Sequence, residues 1–189
     1  AWSPGGRAVL ALLDNQELYF LDTSTGTPLG PAVPDLTLYF LTGLQEAVNQ
    51  ALLPTTEADG AVGLYDVETG APRGRLPAGS RNENLYFPFR ALPDGRRYLL
   101  GDANGWLRLW ETGQDKPTWA MQLRDTGLQS LAASPSGALA ALGSTGEVAL
   151  VRTGDGSVVW RGGLGQVEVN RLIFSPDGTI LLSHGNDEV

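Results

Sequence analysis

The sequence predicts an all-β fold of repeated four-stranded antiparallel sheets, on three observations. Glycine and proline, 25 and 12 of the 189 residues, are spread along the chain as turn punctuation. The turn markers also share a period. Pro93, Pro135 and Pro176 fall 42 and 41 residues apart, and Asp59-Gly60, Asn104-Gly105 and Thr145-Gly146 fall 45 and 41 apart. Gly26, Gly70 and Gly113 are separated by 44 and 43 residues. A shared period of this length marks a repeat architecture. Third, the strands are apolar on both sides. Over 147–151, Val148 and Leu150 point one way, while Ala149 and Val151 point the other. Such a strand must be covered twice. Small sheets stacked face to face around an axis do this, and each is then one blade of a β-propeller.

Taken in order, the repeat divides the chain into units at about 1–33, 34–78, 79–123, 124–165 and 166–189. The first unit opens on a turn at Trp2-Ser3-Pro4-Gly5-Gly6, followed by strands over 8–13 and 17–21 with turns at Asp14-Asn15 and 23–26. The second unit has strands over 36–41, 47–53 and 61–67, with 42–46 standing where a proline turn is due. A helical reading of 44–53 yields to strand because the regular segments after it keep the repeat. The third unit places strands over 85–91, 97–100, 106–110 and 118–123, with Pro93-Asp94-Gly95 and a type I′ hairpin turn at Asn104-Gly105. The fourth has an apolar lead-in at 132–133 and strands over 138–142, 147–151 and 158–160. Its turns are Ser134-Pro135-Ser136-Gly137, Ser144-Thr145-Gly146 and 153–156. The fifth has Leu172-Ile173-Phe174, the turn Ser175-Pro176-Asp177-Gly178 and a strand over 179–183, and lacks its outer two strands. About four and a half blades are expected, as part of a ring of seven or eight. Open blade edges of this kind invite self-association.

Composition narrows the function. A net charge of −8 and a pI near 4.5 argue against nucleic acid as a partner, because phosphate binding needs a basic face. With no cysteine there is no disulfide and no thiolate metal site. No apolar run reaches the ~18 residues of a spanning helix, so no membrane insertion is expected.

Ser175-Pro176-Asp177-Gly178 resembles the inner-strand turn of WD-repeat propellers, with variants at 3–6, 93–95 and 134–137. Trp106-Leu107-Arg108-Leu109-Trp110 is similar to that family's third strand, and 18–22 and 64–66 fit the same slot. The Gly-His pair and the buried His–Ser/Thr–Asp–Trp network of typical WD repeats are absent. Thr69-Gly70-Ala71-Pro72 and Asp155-Gly156-Ser157-Val158-Val159-Trp160 resemble the blade ends of quinoprotein-type propellers. There, an outer-strand tryptophan docks on the next blade. Trp119 and Trp160, 41 residues apart, fit that role, whereas Leu29 and Leu76 stand elsewhere. The WD resemblance implies a non-catalytic interaction or scaffold domain of a larger, bacterial-type protein, with a protein partner. The second resemblance implies, as an alternative, an enzyme or cofactor binder with an axial site.

Side chains that carry chemistry are sparse. His184 is the only histidine; Asn186, Asp187 and Glu188 follow it, but zinc normally takes two His or Cys ligands. Asp102-Ala103-Asn104-Gly105 has its glycine two places too early for a calcium loop. No Gly-x-Ser-x-Gly elbow exists for a nucleophile, and Gly162-Gly163-Leu164-Gly165 leads into neither helix nor lysine. No catalytic residue, metal ligand or cofactor is therefore expected. Asp22, Asp66 and Glu111 end third strands and are expected to cap the turns that follow. Near the hub, the starts of the inner strands offer only Asn84, Gln129, Asn170 and Arg171. An enzyme's axial site would gather more, which favours binding. Arg73, Arg75 and Arg81 form one arginine group, and Trp106, Trp110, Tyr39 and Tyr86 are expected in the core. Arginine forks suit protein interfaces, and Arg90, Arg96, Arg97 and Arg171 are the candidate interaction residues.

Overall fold

A computed structural model describes residues 2–13, 17–33, 52–56, 62–76, 88–102, 104–123, 127–163 and 168–186. The expected strands over 36–41 and 47–51, the turns at 14–15, 42–46 and 59–60, and Tyr39, Arg81, Asn84 and Tyr86 lie outside the described residues. So do Asp187, Glu188 and the end of the glycine-rich segment at 164–165. Among the described residues there are fifteen strands, every pair of them antiparallel, and no helix. The chain divides into two units, Ala1–Arg81 and Asn82–Val189.

In the first unit, β1 (Ala8–Leu12) pairs with β2 (Leu18–Asp22). Single bridges flank this hairpin on both sides, Trp2 to Val9, and Val33 and Pro28 to β2. The next sheet has the order β3 (Leu52–Thr56), β4 (Val62–Asp66), β5 (Pro72–Leu76). Of the strand expected over 47–53, Leu52 and Leu53 are described, and they open β3, which passes through Pro54 to Thr56. Among the described residues β3 pairs with β4 alone, and a strand at a sheet edge tolerates proline. Leu10, Leu18 and Phe20 of one sheet bury against Leu53 and Val67 of the next.

The second unit repeats the plan, with two sheets of four strands among its described residues. β6 (Phe89–Ala91), β7 (Arg97–Gly101), β8 (Trp106–Glu111) and β9 (Trp119–Gln122) form one four-stranded meander. β10 (Ser130–Ala133), β11 (Leu139–Ser144), β12 (Glu147–Arg152) and β13 (Val158–Gly162) form a second. β14 (Glu168–Phe174) and β15 (Leu181–Asn186) form a two-stranded sheet.

The middle sheet is buried on both faces, as its alternation requires. Ala149 and Val151 of β12 join Leu107 and Leu109 of the preceding sheet, while Val148 joins Val169 and Leu172 of the following one. β11 divides the same way, with Ala140 and Leu142 facing back and Ala141 facing forward. Each fully buried Val or Leu contributes about 1.5–3 kcal/mol, so both faces stabilise the fold. The turns are stacked too. A Cβ on Gly137 would lie 3.0 Å from Pro93 Cδ, and one on Gly178 would lie 3.4 Å from Pro135 Cδ. The recurring proline and glycine of these turns therefore touch from one sheet to the next.

One turn differs from the sequence reading. Asn104-Gly105 is not a two-residue hairpin loop. The Gly105 N–H donates to the Asp102 carbonyl at 3.1 Å, and the Asp102 N–H donates to the Trp106 carbonyl at 3.0 Å. These bonds close a four-residue turn over 102–105, and Gly105 follows its centre at φ 77°. The Asp102 side chain explains the wider loop. It accepts the N–H groups of Asn104 and Trp106, taking the place of a ladder bond.

Candidate interaction surface

The carboxylates at the strand ends serve their own turns. Asp22 follows the last apolar residue of β2 and accepts from the N–H groups of Ser24 and Thr25 and from the Ser24 hydroxyl. The Ser24 hydroxyl bond comes first among the causes holding its carboxyl below the usual range. Asp66 repeats this with Glu68 and Thr69, and adds the Arg73 guanidinium at 2.7 Å. Burial alone would raise the Asp66 pKa, but the bonds from Arg73, Thr69 and Glu68 together bring it below normal. Glu111 departs from the expectation: its side chain receives Arg96 Nη2 at 3.0 Å across the hairpin, because the register sets it opposite Arg97, next to the Arg96 turn. Asp177 is held lowest. Its carboxyl accepts from the hydroxyls of Ser175 and Thr179 and the Thr179 N–H, and its pKa falls to about 2, the Ser175 bond being the largest cause.

The four candidate arginines occupy three kinds of place. Arg90 lies on β6, where its guanidinium donates to the Phe89 carbonyl. Arg96 stands on the adjoining turn, paired with Glu111. Arg97 opens β7 and pairs with Asp94 of the same turn. Arg171 stands on β14 in a different sheet, exposed and opposite His184 of β15. Arg96 and Arg97 share one turn; Arg171 is separated from them by the whole β10–β13 sheet. Arg73, of the other arginine group, is engaged by Asp66.

The residues weighed for metal and phosphate chemistry are placed as follows. His184 is exposed on β15, and among the described residues no group of three His, Asp or Glu side chains converges to hold a metal ion. Asp102 is buried, its second carboxylate oxygen 2.6 Å from Arg108 Nη1. Arg108 also lies over the Trp106 ring, 5.5 Å from its centre. The guanidinium thus occupies the side of Asp102 that a cation would need. Gly162 ends β13 beneath the Trp160 ring. Gln129 bonds across to the next sheet, its Oε1 accepting the Val169 N–H at 3.1 Å, and Asn170 is exposed beside the irregularity in β14.

Trp119 seats against the following sheet. Its Nε1–H donates to the Thr153 carbonyl at 3.0 Å, and a Cβ on Gly156 would fall 2.9 Å from its ring. Trp160, the corresponding residue one period on, is 46% exposed. Of the expected core aromatics, Trp110 is buried and Trp106 is partly covered.

Two linking side chains had no distinct signal in the sequence. Glu68 accepts from the Ser3 hydroxyl at 2.7 Å and from the Gly5 N–H, tying two turns of the first unit together. Ser130 donates to the Val169 carbonyl at 2.6 Å across two sheets. The repeat marks both positions as turn and strand start, but only the stacking distance shows that each side chain reaches its neighbour. No protein-family model and no curated protein matches the chain.

Proposed function

We propose that the sheets are blades of a β-propeller and that the chain is a non-catalytic platform for binding another protein. One observation supports the first part most: β12 buries Ala149 and Val151 on one side and Val148 on the other. Stacking of this kind leaves loops and blade edges, not a deep cleft, as working surface. Trp119 supports blade packing of the quinoprotein type, since it seats on the following sheet; nothing in that contact bears on a quinone.

The second part rests on the charges. Asp22, Asp66, Asp94, Asp155 and Asp177 are all held below the ordinary carboxyl range by bonds within their turns or from neighbouring arginines. A general acid or base works best with a pKa near the operating pH. These groups are fixed as anions that organise loops. Arg96, on its exposed turn, and Arg171, exposed on β14, are the arginines proposed to meet a partner, a protein presenting carboxylates to them.

The test is capture of a partner from an extract of the source cells with immobilised wild-type chain and with an Arg96→Glu, Arg171→Glu variant. A partner held by the wild type and lost from the variant is expected. Equal capture by both would remove the arginines from the surface. A turnover of small substrates that survives purification would overturn the non-catalytic reading.

A further inference from the structure

The outward face of the β14–β15 sheet is apolar and open. Ile173, Ile180 and Leu182 are 41%, 65% and 58% exposed. The repeat shows what these positions do elsewhere. Counted from the turn prolines, Leu182 corresponds to Leu99 and Ala141, and Ile173 corresponds to Ala132. Leu99, Ala141 and Ala132 are each buried against the following sheet. The β14–β15 face is therefore built like a surface that takes another sheet.

One substitution changes how that sheet can be seated. The position two after Leu99 is Gly101, and two after Ala141 is Gly143. A Cβ on Gly101 would lie 3.0 Å from Leu128, which leads into the following sheet, and one on Gly143 2.8 Å from Val169 of the following sheet. Glycine is what permits the close approach. The same position in β15 is His184, exposed and beside Arg171. A further repeat sheet seated as the others are would collide with the imidazole.

We propose that this face binds the same face of a second copy of the chain, about a two-fold axis, a reading that rests on the stacked-sheet architecture above. The charges fit such an axis. Arg171 and His184 lie toward one end of the face, and the Ser175–Gly178 turn with Asp177 lies at the other. A two-fold axis across the strands near Ile173 and Leu182 sets each copy's cationic end against the partner's Asp177. Asp177 remains an anion across the ordinary pH range, so opposite charges meet at both ends of an apolar centre. A two-stranded face is small beside the ~1,600 Å² of a standard stable complex. Association is accordingly weak and concentration-dependent.

The experiment is sedimentation of the full chain over a wide concentration range, for the wild type and five variants, with far-ultraviolet circular dichroism as the folding control. The wild type is expected to show a reversible monomer–dimer equilibrium, and Leu182→Glu to remain monomeric with an unchanged spectrum. Arg171→Glu and Asp177→Arg are each expected to weaken the dimer about tenfold or more. The Arg171→Glu, Asp177→Arg double variant is expected to recover most of that loss. Should Asp177→Arg disturb its own turn, Asp177→Asn keeps an acceptor for Ser175 while removing the charge, and must still weaken the dimer. A wild type that stays monomeric at the highest concentration, a dimer indifferent to Leu182→Glu, or a double variant without recovery would each overturn the proposal. A monomer whose β12 side chains keep both sets of neighbours sinks the dimer alone; loss of those neighbours sinks the propeller reading.

Discussion

At the scale of single residues, two kinds of position carry the repeat: small residues at points of close approach and carboxylates that bind their own turns. Gly143 is the sharpest of the first kind. Any Cβ there would fall on the Ser130 hydroxyl and within 2.9 Å of two Val169 side-chain atoms. Gly143→Ala should destabilise the chain by about 1–3 kcal/mol, the usual cost of overpacking, read as a lower midpoint in chemical denaturation. Gly154, with nothing within reach of a Cβ, serves as the control and should tolerate alanine with little change. The carboxylates set the acid limit. Asp22, Asp66, Asp94, Asp155 and Asp177 all have folded values below their unfolded ones. Their contribution is complete above the unfolded pKa of ~3.9 and is lost as pH falls through the folded values, about 2 for Asp177. Thermal melts should therefore be flat in this contribution from neutrality to about pH 5, then drop steadily toward pH 2. A melting temperature that rises on acidification would contradict the assignment.

At the scale of the element, the strands were legible wherever two-sided apolar alternation met a glycine or proline turn. The predicted strand over 147–151 appears as β12, Glu147–Arg152, and that over 97–100 as β7, Arg97–Gly101. Legibility failed where a side chain replaced a backbone partner. Asp102 widens its hairpin by accepting two N–H groups, which residue spacing does not reveal, and Asn-Gly then reads as a tighter turn than forms. The strand expected over 47–53 stops one residue before Pro54, whereas β3 passes through it to Thr56, and among the described residues β3 pairs on one side alone. The strand-end position of Glu111 suggests a cap for its own turn, but the pairing of Arg97 with Glu111 in the β7–β8 register brings the Arg96 turn to it. Trp119 seats on the following sheet, as the resemblance to quinoprotein-type blade ends implies, whereas Trp160, 41 residues on, is exposed. Trp119→Phe keeps most of the ring over Gly156 and removes the bond to the Thr153 carbonyl. A loss of about 1 kcal/mol is expected, typical for one hydrogen bond, measured by urea denaturation. No change would mean that the indole N–H is satisfied elsewhere.

At the scale of the whole molecule, the candidate surface was less legible than the fold. Sequence grouped Arg90, Arg96, Arg97 and Arg171 by type, whereas local ion pairs with Glu111 and Asp94 engage two of them and a whole sheet separates the fourth. Charge pairing across a hairpin depends on register, and register follows turn geometry. The open β14–β15 face could be anticipated as an uncovered sheet, but its histidine in place of the repeat's glycine gains meaning only once Gly101 and Gly143 are seen against their neighbours.

The architecture stands on one relation, that adjacent residues of a strand belong to different inter-sheet cores. Methyl-selective NMR on the Leu- and Val-labelled chain measures it directly. Cross-peaks are expected from Val151 to Leu107 or Leu109 and from Val148 to Val169 or Leu172, with no exchange of partners between the two sets. Val148 and Val151 sharing one set of neighbours, or Val148 showing none, would contradict it.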